Sequence, residues 1–405
     1  RSGFNADRAI VTQLMSFDTR AAAVSWLVDH TGSEPTLPEW HGEAKPVFKG
    51  MEQAMRKDTR KRMNRLNREL VYWWYVWMCT TEAPLVERMT LFWHNHFVSS
   101  SQKVSWAPTM LQQNQLFRSE ALGNFGTLLR DILRDPAMLV YLDNHKSSKK
   151  KPNENFAREL LELFTLGEGE YTETDVKEMA RALTGASVHG ATDDYVFRSR
   201  KHDTGEKTIL GHVGTFGPDD IADIILEQEA TALYVCKKLY REFVSLEPNP
   251  EIVEALAEIF RESGYEIKPV LAEIFTLDVF YGSQGHLIKS PVDLMVGAAR
   301  DFCLPLLPTN KHRSFSRNMG QQLFTPPSVR GWVGGTSWYT TATLPYRQAF
   351  LVQHADEAED ALESGLLPSV EIAELCAVDP VSDLPAHDHP RYFDKLMLDP
   401  AYQVK

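Results

Sequence analysis

A chain of 405 residues, 43% of them apolar, has enough core-forming material for one large or two medium globular units. Its formal net charge of −12 excludes a surface that is basic overall, which argues against nucleic acid as a partner. No apolar run reaches the length of a membrane-spanning helix, and Cys79, Cys236, Cys303 and Cys376 lie too far apart for a CxxC metal or redox pattern.

Two short helical patterns occupy residues 5–30, and a loop rich in proline, glycine and charge follows over 31–45. A long helix is predicted over about 50–80. Its first half carries Arg56, Lys57, Arg60, Lys61, Arg62, Arg65 and Arg68 against Asp58 and Glu69. Such a run is either a solvated face or a basic lip that attracts an anion. Its second half, Tyr72-Trp73-Trp74-Tyr75-Val76-Trp77, is apolar nearly all round and belongs to a core. Pro84 opens the next helix at its first turn, where its missing N–H is tolerated. That helix runs to Trp93-His94-Asn95-His96-Phe97. Histidines two apart on a helix stand about 200° from each other. One therefore belongs in the core, and the other is free to enter a site.

Helices continue over 108–117 and 124–134, Asp135-Pro136 restarts the chain, and a lysine-rich loop over 146–151 leads into the segment 152–167. The rest of the chain is organised around that segment. Asn153 is a good N-cap, and Gly167 stands where a left-handed C-cap glycine belongs. Ala157, Leu160, Leu161 and Phe164 fall on one face, which the spacing predicts to be buried. Asn155, Glu159 and Glu162 fall on the other side. Two glutamates one turn apart repel. Solvated, they cost little; in a cleft they demand an arginine, a lysine, a proton or a metal.

Residues 186–215 change character. Segments 195–200 and 207–211 read as short strands around a turn at His202-Asp203-Thr204-Gly205. Gly211, Gly214 and Gly217 have neither the lysine-serine pair nor the leading strand of a phosphate loop, and read as a helix start. Helices resume over 217–303. The Pro- and Gly-rich stretch 324–339 is an ordered irregular loop whose Trp332 and Trp338 serve either as a sugar platform or as core plugs. Helix returns over 345–375, a linker follows over 379–390, and a closing helix ends the chain. The predicted fold class is mainly α. It is a large multi-helix domain over 1–378 with a small β-hairpin element near 186–215 and a closing helix in 391–405 packed on the same domain.

Several motifs occur in a fixed order: Leu91-Phe92-Trp93-His94-Asn95-His96-Phe97, Pro152-Asn153-Glu154-Asn155-Phe156-Ala157-Arg158-Glu159-Leu160, Ala180-Arg181-Ala182-Leu183-Thr184-Gly185, His202-Asp203 with Lys207, Lys289-Ser290-Pro291, and Pro326-Pro327-Ser328-Val329-Arg330-Gly331-Trp332. In these the chain resembles the bacterial domain of unknown function 1800 family over nearly its whole length. The resemblance implies a mainly helical bacterial protein, often exported, whose gene often sits beside that of an exported sulfatase-like protein. Export would place it in the periplasm or at the cell surface; a cytoplasmic location is the alternative. The resemblance supplies no reaction.

The polar residues inside these otherwise apolar motifs point to a site, because charges in a helical core are costly unless paired. The first reading is an enzyme that acts on a polar or anionic, carbohydrate-type substrate by acid–base chemistry. Glu159 or Glu162 would be the general acid or base and His94 or His202 its partner. Asn155, Arg181, Lys207, Asp203 and Trp332 would hold the substrate. A divalent metal on a histidine and carboxylates is the one cofactor option, although no HExxH motif is present. The second reading is a non-catalytic exported scaffold, or a partner of the sulfatase-like neighbour. The geometric expectation is that Glu159 and Glu162 face His94 or the 202–207 turn, with Arg181 beside them.

Overall fold

The structure is a computed structural model, and it describes residues 1–4, 8–190, 192–302, 304, 306–363, 375–385, 389 and 391–405. The chain is mainly α-helical. Several of its helices begin where the sequence supplies acceptors for free N–H groups. Asn124 accepts from Thr127 N–H, and Asp135 accepts from Met138 N–H ahead of Pro136–Tyr141. Thr172 and Ser290 each form a capping box, with Asp175 and Asp293 respectively.

The long helix is Gln53–Thr80. The basic side chains of residues 56–68 are exposed along its first half. Its second half buries Trp74, Tyr75 and Met78 completely but leaves Val76 exposed, so it is amphipathic and not buried on every side.

Among the described residues, strands form two antiparallel two-stranded sheets. Ala186–Val188 pairs with Tyr195–Phe197, and Lys207–Ile209 pairs with His212–Gly214. The two segments expected to flank the 202–205 turn as one hairpin therefore belong to separate hairpins, with the turn between them. The second hairpin closes through Leu210 and Gly211, both at positive φ, which is the geometry of a tight two-residue loop.

Two apolar clusters fill the interior. One surrounds the 154–165 helix and includes Phe156, Leu161, Phe164, Trp93 and Phe125. The other joins the long helix to Pro291–Asp301, Leu344–Glu363 and Tyr392–Leu398 through Trp74, Val296, Phe350 and Phe393. Phe92 and Leu163 of the first cluster and Leu91 of the second wall the same cleft. Polar ties join early and late parts of the chain: Arg88 pairs with Asp293, and Ser101 N–H donates to Phe324 O at 2.8 Å. The helix expected over 345–375 is described only as Leu344–Glu363. Parts of that expectation and of the 379–390 linker, and also Cys303, lie outside the described residues. Cys79, Cys236 and Cys376 are free thiols.

Candidate functional site

The central helix begins as predicted, with Asn153 accepting from Asn155 N–H. It is α-helical over Glu154–Glu159 and then widens into a π-helix over Leu160–Thr165. Leu166 N–H reaches back to Leu161 O at 2.9 Å, and Gly167, at φ +94°, completes the cap on the same oxygen. The wider turn buries Leu163 together with Leu160, Leu161 and Phe164. Regular α-helical spacing did not predict this, because an apolar run reads the same at either pitch. Such π-turns often accompany functional sites.

At the end of this helix the last carbonyl groups have no helical partner, and side chains from other elements meet them. Tyr234 Oη donates to Leu163 O at 2.9 Å, and Lys238 Nζ approaches the same oxygen at 3.5 Å. His96 Nε2 donates to Phe164 O at 2.8 Å. The bond identifies Nε2 as the protonated ring nitrogen and leaves Nδ1 as an acceptor. That Nδ1 is buried without a partner among the described residues. Cationic and N–H-bearing groups suit a helix C-terminus, where the peptide dipoles concentrate negative charge.

His96, Tyr234 and Lys238 line a cleft of about 410 Å³. Arg241 and Glu242 extend the same wall along Glu229–Phe243, and Arg88, Asp293, Arg330, Trp332 and Trp338 close the others. Arg88 binds Asp293 and lies 3.5 Å from Glu242, while Lys405 Nζ donates to Asp293 at 2.9 Å. These four charges satisfy one another, and the two cations hold the Asp293 carboxyl far below the usual range despite burial. Arg241 has no ion pair among the described residues. Burial, and after it the Arg241 charge, pushes the Lys238 ammonium down to about 7. Burial and the Lys238 charge also hold His96 well below its ordinary value, so the imidazole is neutral. The cleft wall therefore carries an amine poised near neutral pH, a neutral imidazole and a guanidinium with no ion pair among the described residues.

The rim loop is fixed from the helix that carries the histidines. Asn95 Oδ1 accepts from Trp332 N–H at 2.7 Å, and its Nδ2 donates to Trp332 O at 3.3 Å. Gly331, at φ +74°, sits so close that a Cβ there would meet Asn95 O at 2.7 Å. His94 Nε2 accepts from Phe324 N–H at 3.1 Å, and burial lowers its pKa to about 3. His94 thus holds the loop from inside the core, against Trp74 and Phe324. Of the two histidines expected to part company, His96 is the one that lines the cleft.

The remaining predicted residues fall into two separate groups, so the expected convergence of Glu159, Glu162, His94 and Arg181 is corrected. Glu162 accepts from Tyr171 Oη at 2.8 Å and from Arg330 Nη2 at 2.9 Å. Arg330 also reaches Glu168 at 3.1 Å. The cation that relieves the glutamates is therefore Arg330 of the Pro-Pro-Ser-Val-Arg-Gly-Trp loop and not Arg181. Partial burial, and then the Glu162 charge, push the Glu159 carboxyl up. Asn155 is exposed and donates to Leu142 O at 3.3 Å.

Arg181 binds Asp203 at 2.9 Å and Glu178 at 2.7 Å. Lys207 donates to the carbonyl oxygens of Asp203 and Gly205 at 2.7 and 2.9 Å, and His202 Nδ1 lies 2.8 Å from Thr184 O. These bonds staple the 202–207 turn onto Glu173–Ala182 and its C-terminal end, and none of these residues lines the cleft. Trp332 does line it, but Trp332 and Trp338 are 5% and 6% exposed, so they form wall rather than an open platform.

Sequence reasoning missed Lys238 and Arg241. Nothing in the sequence separates Lys237 from Lys238, yet only Lys237 is exposed, because the next residue turns toward the cleft. It also passed over Glu87-Arg88, two charges inside an apolar helix pattern, where the signal was present.

Among the described residues, no three His, Cys, Asp or Glu side chains gather to hold a metal ion, and no helix is long and apolar enough to cross a membrane. No curated protein and no solved structure matches the chain. The family model described as Protein of unknown function (DUF1800) matches residues 1–397, and the chain belongs to that family.

Proposed function

We propose that the cleft binds an anionic saccharide and performs acid–base chemistry on it, with Lys238 as the base. The observation that carries this reading is the Lys238–Arg241 couple on the cleft wall beside neutral His96, a couple with no ion pair among the described residues. A lysine poised near neutral pH is suited to take a proton, and desolvation is the usual way proteins produce one. Arg241 is the partner for the carboxylate or sulfate of the ligand, in a fork geometry that matches such groups. The buried acceptor of His96 suits a ligand hydroxyl. The apolar wall of Leu91, Phe92, Leu163 and Trp332 faces the ring. The exported setting and sulfatase-like neighbour that the family resemblance implies fit a ligand of this class.

A non-catalytic scaffold is the second reading, and the self-satisfied Arg88–Asp293–Lys405–Glu242 group favours it, since those charges need no ligand.

Calorimetric titration with glucuronate-bearing oligosaccharides and matched neutral glucose oligosaccharides tests the proposal. The acidic series should bind at least about tenfold tighter, equivalent to about 1.4 kcal/mol, and Arg241→Met should remove that preference. Equal binding of both series, or no binding by either, would favour the scaffold.

A further inference from the structure

On the far side of the 321–332 loop lies a second cavity, of about 500 Å³. Gln321 faces the first cleft and Gln322 faces this one. The cavity is lined by Asn64, Asn67 and Arg68 of Gln53–Thr80 and by Arg313 and Arg317 of Thr309–Asn318, with no carboxylate among its lining residues.

Three arginines in one cavity are unusual here because the chain is acidic, at −12. Several exposed arginines elsewhere on its surface find acids: Arg62 binds Glu43, Arg65 binds Glu69, Arg130 binds Asp223 and Arg134 binds Asp219. Arg68, Arg313 and Arg317 make no ion pair with any described residue. Arg313 and Arg317 are one helical turn apart, where like charges repel. Arg68 brings a third positive charge from the facing helix. An oxyanion between them removes this repulsion and takes paired N–H donors from each planar guanidinium.

A second feature narrows the ligand. Asn67 donates through Nδ2 to Met63 O and Ser105 O, both at 3.0 Å, and these bonds fix which way the amide points. Its Oδ1 is buried without a partner among the described residues. That oxygen calls for a donor, which a bare sulfate lacks, which inorganic phosphate has only in its own P–O–H, and which a ligand hydroxyl supplies beside the oxyanion. We propose that this cavity is a second binding site, for a sulfate or phosphate ester carried on a hydroxylated molecule such as a sugar. The proposal is independent of the Lys238 cleft, with which it shares no lining residue.

The test is calorimetric titration of the whole protein with glucose 6-sulfate, glucose 6-phosphate, inorganic sulfate and inorganic phosphate, at ionic strength fixed with sodium chloride. At least one ester should bind saturably and tighter than its inorganic ion, and the preferred ester identifies the oxyanion. Arg68→Gln/Arg317→Gln should weaken that binding at least about tenfold, a loss of about 1.4 kcal/mol. Both positions are exposed, so the variant keeps the fold, and its melting curve verifies this. Arg241→Met, which removes anion binding in the other cleft, should leave unchanged the component of binding that Arg68→Gln/Arg317→Gln weakens. No saturable binding of either ester, binding no tighter than that of the inorganic ions, or equal binding by the double variant would each overturn the proposal. Binding lost in Arg241→Met instead would assign the ligand to the Lys238 cleft and overturn it as well.

Discussion

Arg118→Met is expected to destabilise the protein by on the order of 3–5 kcal/mol, the cost of leaving a buried carboxylate without its cation. Glu87 and Arg118 are 1% and 5% exposed, on the helices Pro84–His96 and Ala107–Ser119. Arg118 grips Glu87 through both Nε and Nη2, and the same carboxylate accepts from Trp74 Nε1 at 2.7 Å and Trp77 Nε1 at 2.9 Å. The group therefore ties three helices together through one carboxylate. Removing both charges in Glu87→Met/Arg118→Met should recover part of the loss, because no lone ion remains. Recovery should be incomplete, since the two indole N–H groups lose their acceptor at roughly 1–3 kcal/mol for a buried donor. Urea unfolding of the two variants measures this. An Arg118→Met midpoint close to that of the parent would show that the pair is not structural.

The second large effect is acid sensitivity. His94 and His312 are pushed down to about 3 by burial, His96 lies well below its ordinary value, and His354 is also lowered. The unfolded chain takes up a proton at each as pH falls through about 6.5, while the folded chain does not. Folding is therefore favoured above that pH, and stability is lost progressively below it, down to the folded values. Asp135 acts in the opposite direction. Burial raises it to about 7, so the folded form holds a proton first and gains stability as pH falls toward the ordinary carboxylate value. It offsets about one histidine, leaving on the order of two protons of difference near pH 5 from His94, His96 and His312, with His354 acting in the same direction. Between pH 6 and pH 5 the free energy of unfolding should drop by on the order of 2 kcal/mol or more. A flat profile over that interval would mean that the buried histidines become protonated in the folded state.

The fold was largely legible in the sequence because its signals are local. Pro84, Asn124, Asp135, Asn153, Thr172 and Ser290 each start a helix, and Gly167 ends one, since capping depends on groups within one turn. The site was less legible because its geometry is not local. That His94 and His96 diverge follows from helical pitch, but which of them enters a cleft depends on a loop more than two hundred residues away, held through Asn95 and Gly331. The cation beside Glu162 comes from that same loop, and the sequence order favoured Arg181 only because it lies nearer along the chain. Lys238 carries no local signal at all. Its low proton affinity comes from the walls around it, which belong to other helices.

The account rests on Lys238 as an amine that is substantially neutral at physiological pH and open to ligand from the cleft. Trace acetylation with acetic anhydride, read at each lysine by mass spectrometry across pH, measures this directly, because only the unprotonated amine reacts. The account predicts that labelling of Lys238 reaches half its plateau near pH 7, as the value of about 7 requires. It also predicts that a saturating glucuronate oligosaccharide slows labelling there and not at exposed Lys57. A Lys238 profile that instead follows free N-acetyl-lysine, rising only around pH 10.4, or one that the saccharide leaves unchanged, would contradict it.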